Sequence, residues 1–322
     1  APGSLNGAKR DIRGTGTQTA GMVAYGTPTP QRQLTELYDG STWTETGDTN
    51  NPKQGVPLVG TTTAALAIGG TNPSSQGTTD CETFNGSVWA VAGGTMNDGR
   101  INAGGAGSTT AGLVFAGYGG GGSTTPTANT ESYDGTTWTE VANLANNGND
   151  HVLSGQASPN TAALCFGGQI TGPYVSNKTE EWSAPATFRQ FNAGDIYYNA
   201  DPSSGVIKYV GYGTGSWASG GNLNTGREYG AGIGTQTATL LATGTTTASV
   251  DSVESYDGSS WTEIADTNTT RGTASLNGDG TQTARLVWGG YAPGGTTGNT
   301  ETWNGSAWTE TGDLNTAKIT RR

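Results

Sequence analysis

The chain has 322 residues, a formal net charge of −11 and only 13% charged residues, with 55 Gly, 9 Trp, 2 Cys and a single His. Fifteen basic residues against 26 acidic ones argue against general nucleic-acid binding. No segment reaches the ~20 apolar residues of a transmembrane helix, so membrane insertion is not expected.

A Gly-rich polar chain invites a reading as disorder, but most of the Trp residues stand in register with an internal repeat. A disordered chain has no reason to keep large apolar anchors at fixed spacing. The opening APGSLNG gives no expectation of a secretory leader. Cys81 and Cys165 fall at different places in their repeats and are expected to be buried free thiols, which leaves the redox compartment open.

Along the chain one phrase returns: a Glu, an aromatic, a Gly turn and a Trp. It reads ELYDGSTW from Glu36, ETFNGSVW from Glu82, ESYDGTTW from Glu131, ESYDGSSW from Glu254 and ETWNGSAW from Glu301, with a broken copy, EEW, at Glu180–Trp182. A period just under ~50 residues is the mark of a propeller or a repeat array. Each repeat breaks into four short pieces bounded by Gly, Asn, Asp or Thr, which predicts four strands and no helix. The second is an apolar run, such as ALAIGG at Ala65–Gly70 or GLVFAG at Gly112–Gly117. Asp-Gly or Asn-Gly at Asp39, Asn85, Asp134, Asp257 and Asn304 marks the hairpin into the last strand. The repeats run approximately 4–47, 48–93, 94–142, 143–221, 222–265 and 266–312, within one domain spanning 1–322. A four-stranded meander cannot bury both of its faces, and radial stacking solves that problem.

These features resemble the kelch motif: a double Gly closing the second strand, an aromatic further on, and a Trp about five residues after it. The double Gly is read at Gly69-Gly70, Gly119-Gly120, Gly167-Gly168 and Gly289-Gly290, and in reduced form at Gly26-Thr27 and Gly244-Thr245. The resemblance implies an all-β, six-bladed propeller whose first strands line a central channel. It places Trp43, Trp89, Trp138, Trp217, Trp261 and Trp308 on the outermost strands, wedged between neighbouring blades. The tail at 313–322 restarts the repeat, and is read as a linker or as a ring-closing segment.

Repeat four carries an insertion at 183–216, with DIYYN at Asp195–Asn199 and VIKYV at Val206–Val210 expected to form a projecting hairpin. Its Tyr197, Tyr198, Tyr209 and Tyr212 either pack on blade four or meet a sister subunit or glycan; packing or subunit contact is favoured. Lys9, Lys53, Arg100, Arg227 and Arg271 occupy equivalent places where one repeat hands over to the next. Tail Lys318 shares that place, and repeat four offers Asn149 or His151 instead. In a closed ring they would crown one mouth of the channel and bind an acidic partner. The simpler reading, which is preferred, has each bonding loop carbonyls and acids of its own blade.

Catalysis is not expected. A copper oxidase needs several His, whereas this chain has only His151. SYDGTTW is similar to the Asp-box of sialidases but is one residue short between Asp and Gly. The repeated Glu residues read as structural partners rather than as an acid–base pair. No metal or cofactor is expected. Copies such as TESYDGTTWTE are similar to kelch-like virion proteins of marine phages, cyanophages especially. That resemblance implies a non-catalytic tail, fibre or capsid-decorating module, virion-borne or extracellular, touching other virion proteins, sister subunits or the host surface. The alternative is a carbohydrate-binding receptor-recognition module, with a secreted glycan-active enzyme last.

Overall fold

A computed structural model describes residues 5, 12–17, 19–27, 33–119, 125–146, 152–154, 160–169, 175–184, 215–272 and 278–313; for 152–154 and 278–280 it describes backbone only. The chain is all-β. Six four-stranded antiparallel sheets follow one another, each an up-and-down meander.

Blade one comprises Arg13–Thr17, Ala20–Ala24, Thr35–Tyr38 and Trp43–Thr46, and blade two Leu58–Thr61, Ala64–Ile68, Cys81–Phe84 and Trp89–Val91. Blade three comprises Gly104–Ser108, Ala111–Phe115, Thr130–Tyr133 and Trp138–Val141, and blade four Val152–Ser154, Ala162–Phe166, Thr179–Ser183 and Ser216–Ser219. Blade five comprises Ala231–Thr235, Ala238–Thr245, Ser249–Tyr256 and Trp261–Ile264, and blade six Gly278–Gly280, Arg285–Trp288, Thr300–Trp303 and Trp308–Thr311.

The first strand of every blade lies against the first strands of both neighbours, and Gly278–Gly280 meets Arg13–Thr17 to complete the circle. The sheets therefore form a closed six-bladed β-propeller, with its first strands around the axis. Crowding there explains the small residues of those strands. Gly107 has φ 111°, and a Cβ on it would stand 2.0 Å from the Ala111 carbonyl oxygen of the adjacent strand. Thr15 Oγ1 donates to the Gly60 carbonyl, 2.6 Å away in the next blade.

The hydrophobic core is divided among the blade interfaces. Along the second strand of blade two, Ala65 and Ala67 face Met22, Ala24 and Tyr25 of blade one. The intervening Leu66 and Ile68 face Val114, Tyr133 and Trp138 of blade three. This is the period-two alternation of a strand buried on both faces. Each blade also pairs an aromatic of its third strand with the Trp of its fourth. The pairs are Tyr38–Trp43, Phe84–Trp89, Tyr133–Trp138, Trp182–Trp217, Tyr256–Trp261 and Trp303–Trp308, with ring centroids 4.9–5.5 Å apart. Each buried aromatic contributes roughly 1.5–3 kcal/mol, which compensates for the shortage of large aliphatics.

Two sequence readings need correction or bounding. The pair closing the second strand has a left-handed first member in all six blades: Tyr25 (φ 64°), Gly69 (57°), Ala116 (56°), Gly167 (66°), Thr243 (60°) and Gly289 (65°). The equivalents in blades one, three and five are therefore Tyr25-Gly26, Ala116-Gly117 and Thr243-Gly244, not the pairs at Gly26, Gly119 and Gly244. Gly119 instead belongs to a small ladder with Arg100–Ile101. In blade four, Trp182 pairs with Trp217 in the register that Tyr133 and Trp138 adopt in blade three, so the long interval falls inside the last hairpin. The hairpin expected there lies outside the described residues, as does the tail beyond Asp313.

Candidate functional site

The repeated charges meet at the junctions between blades. Glu82, Glu131, Glu180, Glu254 and Glu301 sit on third strands and are all buried. Each carboxylate reaches the segment that links the preceding blade to its own. Glu131 accepts from the Asn97 amide N–H (2.7 Å), the Asn97 side-chain amide (2.9 Å) and the Asp98 N–H (3.4 Å). Glu82, Glu180, Glu254 and Glu301 take the corresponding donors from Asn50 and Asn51, Ala145 and Asn146, Asn224 and Thr225, and Asn268 and Thr269.

Cations complete three of these junctions. Arg100 donates to Glu131 at 2.7 Å, Arg227 pairs with Glu254 and Arg271 with Glu301, and all three guanidinium side chains are at most 1% exposed. A second nitrogen of each caps a carbonyl in the third strand or just before it: Asn129, Ser252 and Asn299 respectively. Burial pulls the pKa of Arg100 and Arg271 down, while the adjacent Glu131 and Glu301 oppose that shift. The backbone of the same residue holds the neighbouring blade. Gly70 N–H donates to the Arg100 carbonyl, Gly168 to Arg227, Gly244 to Arg271 and Gly26 to Lys53, at 3.0–3.2 Å. One residue thus ties its side chain into its own blade and its carbonyl into the blade before.

Blade two solves the same problem with different residues. Lys53 Nζ caps the Asp80 carbonyl at 3.0 Å and pairs with the Asp80 carboxylate at 2.8 Å, so it does not supply a second arm to Glu82. That arm comes from blade one, where the Tyr25 hydroxyl donates to Glu82 Oε1 at 3.3 Å. Tyr25 holds the left-handed position that is Gly69 or Gly167 ahead of Arg100 or Arg227. Tyr25 and Lys53 together therefore replace one arginine.

A crown of cations offered to an acidic ligand is not what Lys53, Arg100, Arg227 and Arg271 form. They are buried within blades, where their partners are carboxylates and carbonyls in or immediately before the third strands. Lys9, Lys318, Asn149, His151, Tyr197, Tyr198, Tyr209 and Tyr212 lie outside the described residues. Cys81 and Cys165 are buried free thiols. Among the described residues no three His, Cys, Asp or Glu gather closely enough to hold a metal ion.

The Trp anchors lie where adjacent blades meet. Trp89, Trp217 and Trp261 touch Tyr25, Phe115 and Phe166 of the preceding blade, with centroids 4.8–5.8 Å apart. Their indole N–H groups donate to Thr35, Thr130 and Thr179 hydroxyls there, at 2.8, 3.2 and 2.9 Å. In blade five Val253 takes the Thr place, and Trp308 donates instead to the Ala265 carbonyl at 3.0 Å. In blade two Cys81 takes it, and the buried Trp138 N–H has no acceptor. Trp43 is half-buried in blade one.

Among the described residues, exposure concentrates on the outer rim and the loop tips. The fourth strands present Thr44-Glu45, Thr139-Glu140, Thr262-Glu263 and Thr309-Glu310 to solvent, but Ala90-Val91 in blade two and Ala218-Ser219 in blade four. The Asp-Gly and Asn-Gly turns are exposed and tightly bonded. Asp257 Oδ1 accepts from the N–H of Ser259 and of Ser260 (2.9 and 2.8 Å), which holds its pKa down at about 2. Asp39 and Asp134 are lowered by the same bonds, from Thr42 and Ser41 and from Thr137 and Thr136. A shallow cleft of about 380 Å³ opens beside blade two between Asn51–Lys53 and Asn72–Asp80. Sequence reasoning singled out neither Tyr25 nor the uncharged rim of blade two; column-by-column comparison of the copies would have shown Val91 where four blades carry Glu.

No protein-family model and no curated protein sequence matches the chain. Among solved structures, that of YjhT superposes with a TM-score of 0.70 over 97% of this chain and 99% of its own, at 10% sequence identity. At that identity the likeness concerns architecture alone, and it agrees with the closed ring of six blades.

Proposed function

We propose that the chain is a non-catalytic structural and adhesive module of a phage virion, in its tail, a fibre or the capsid decoration, with kelch-like repeats. The observation that carries this reading is the placement of the repeated charges. Their side chains lock each linker onto its own blade while the backbone carbonyl of the same residue bonds the blade before, which supports a rigid disc whose described edges are rich in exposed Thr, Ser, Asn and Glu. Such a disc acts passively, and repeated copies on a symmetric particle raise weak contacts into useful avidity. The similarity of TESYDGTTWTE to virion repeats supplies the biological setting. Immunogold labelling of intact particles with antibodies to the purified chain tests it: label on the tail or capsid is expected, and particles that lack the chain overturn the reading.

A second reading, a carbohydrate-binding receptor module, is favoured by the cleft beside blade two. Asn51, Asn72 and Thr78 offer it amides and a hydroxyl, and the Lys53–Asp80 pair lies at its wall. Glycan-array binding by the isolated chain, lost on Asn72→Ala, would favour this reading over the first.

A further inference from the structure

In a propeller the fourth strand of each blade is a free sheet edge, and exposed edges invite pairing unless charge or irregularity blunts it. Four blades carry an exposed Glu two residues after the edge Trp: Glu45, Glu140, Glu263 and Glu310. Blade two carries Val91 there, 68% exposed, and nearby Val88 is 54% exposed. These are two of the three large hydrophobics most exposed among the described residues, and they share one edge. Blade four carries Ser219 there, exposed and uncharged.

The hydrogen bonds fix how that edge can be used. Val88 accepts from the Asn85 N–H and Ala92 donates to the Cys81 carbonyl, so the even-numbered residues bond inward to the third strand. By the alternation of an antiparallel ladder, the N–H and C=O groups of Trp89 and Val91 point outward. A two-fold axis through Ala90 then sets Trp89 opposite Val91 of a second copy and Val91 opposite its Trp89. All four outward-pointing groups on each side are matched, and apolar Val91 lies beside indole. In blades one, three, five and six the same operation would bring two carboxylates to the seam.

We propose that blade two's outer strand pairs, edge to edge, with the same strand of a second copy of this chain, joining two propellers through one eight-stranded sheet. A second copy is the occupant because the register is self-complementary and isologous. The acidic edges of blades one, three, five and six and the net charge of −11 oppose other contacts between copies. The contact is small, so the association is weak, and added salt strengthens it by screening that repulsion.

Sedimentation velocity of the full chain over a wide concentration range tests the proposal. Dimer is expected to grow with concentration and with salt. Val91→Glu, which copies four other blades, should weaken association at least about tenfold, or about 1.4 kcal/mol, without lowering the melting temperature. Ala90→Cys tests the register, since non-bonded cross-strand partners have Cα atoms ~4.5 Å apart, within disulfide reach. Mild oxidation should link Ala90→Cys chains faster than chains carrying Thr139→Cys, the matching place in blade three. A chain that stays monomeric and cross-links no faster at Ala90→Cys overturns the proposal, as does a dimer indifferent to Val91→Glu. Open-ended oligomers in place of a dimer would also overturn it.

Discussion

Cys81→Thr should stabilise the protein. The residue before the repeated Glu accepts the indole N–H of the following blade when it is Thr, as Thr35, Thr130 and Thr179 do. At Cys81 the acceptor is missing and the Trp138 N–H is buried without a partner. The thiol is a poor substitute. Burial pushes its pKa up to about 12, so it stays protonated, and its polar contacts are to backbone, donating to the Thr79 carbonyl at 3.7 Å and accepting from Gly69. A buried unsatisfied donor costs about 1–3 kcal/mol and a typical hydrogen bond contributes about 0.5–1.5 kcal/mol. A net gain of about 1 kcal/mol is therefore expected, shifting the melting temperature by about 1–2 °C in a chain of this length. The urea midpoint is the better assay, read by far-ultraviolet circular dichroism. Cys81→Val controls for β-branching and volume, because it supplies no acceptor. If Cys81→Val stabilises as much as Cys81→Thr, the hydrogen-bond account is refuted. If Cys81→Thr destabilises, the strand cannot present the hydroxyl as its counterparts do.

Glu301→Gln leaves Arg271 buried opposite a neutral amide, and should cost about 3–5 kcal/mol in urea unfolding, much more than any change at exposed Glu310. Lys53→Arg alone should destabilise, because Tyr25 already fills the second arm to Glu82. Adding Tyr25→Gly rebuilds the Gly–Arg form of the other junctions, and a double-mutant cycle should show coupling of about 1 kcal/mol or more; strict additivity would refute the exchange. Asp39, Asp134 and Asp257 have folded pKa values below their ordinary value of 3.8, so their contribution is complete above that pH. It is lost as pH falls through the folded values, about 2 for Asp257. Replacing all three by Asn, which Asn85 and Asn304 already are, should leave stability at pH 7 nearly unchanged and flatten its fall between about pH 4 and 2. Acid titration of unfolding midpoints measures that slope.

What could be read from the residues, and what could not, follows from where each signal resides. The Glu–aromatic–turn–Trp phrase is local: its turn closes on its own Asp or Asn, its aromatic stacks on its own Trp, and so it marked the fourth-strand hairpin directly. The closed ring followed from a count of those phrases. The pair ending the second strand was misplaced in three blades because Gly identity stood in for conformation. Tyr25, Ala116 and Thr243 hold the left-handed geometry without being Gly, a cost of about 1–2 kcal/mol each that composition does not display. At Tyr25 the structure shows an offsetting contact, the bond to Glu82; for Ala116 and Thr243 it shows none that explains the choice. The cations were harder still, since a charge repeated every blade reads alike whether it faces a channel mouth or a buried carboxylate. The difference is depth, set by the Asn-led linker that delivers each Arg beneath the third strand of its blade, and depth has no signature in a single repeat. Departures between copies are more informative than the consensus. Lys53 with Tyr25, Cys81 beneath Trp138, and Val91 where Glu belongs all fall in or against blade two, so the same blade departs from the repeat at its junction, its core and its edge.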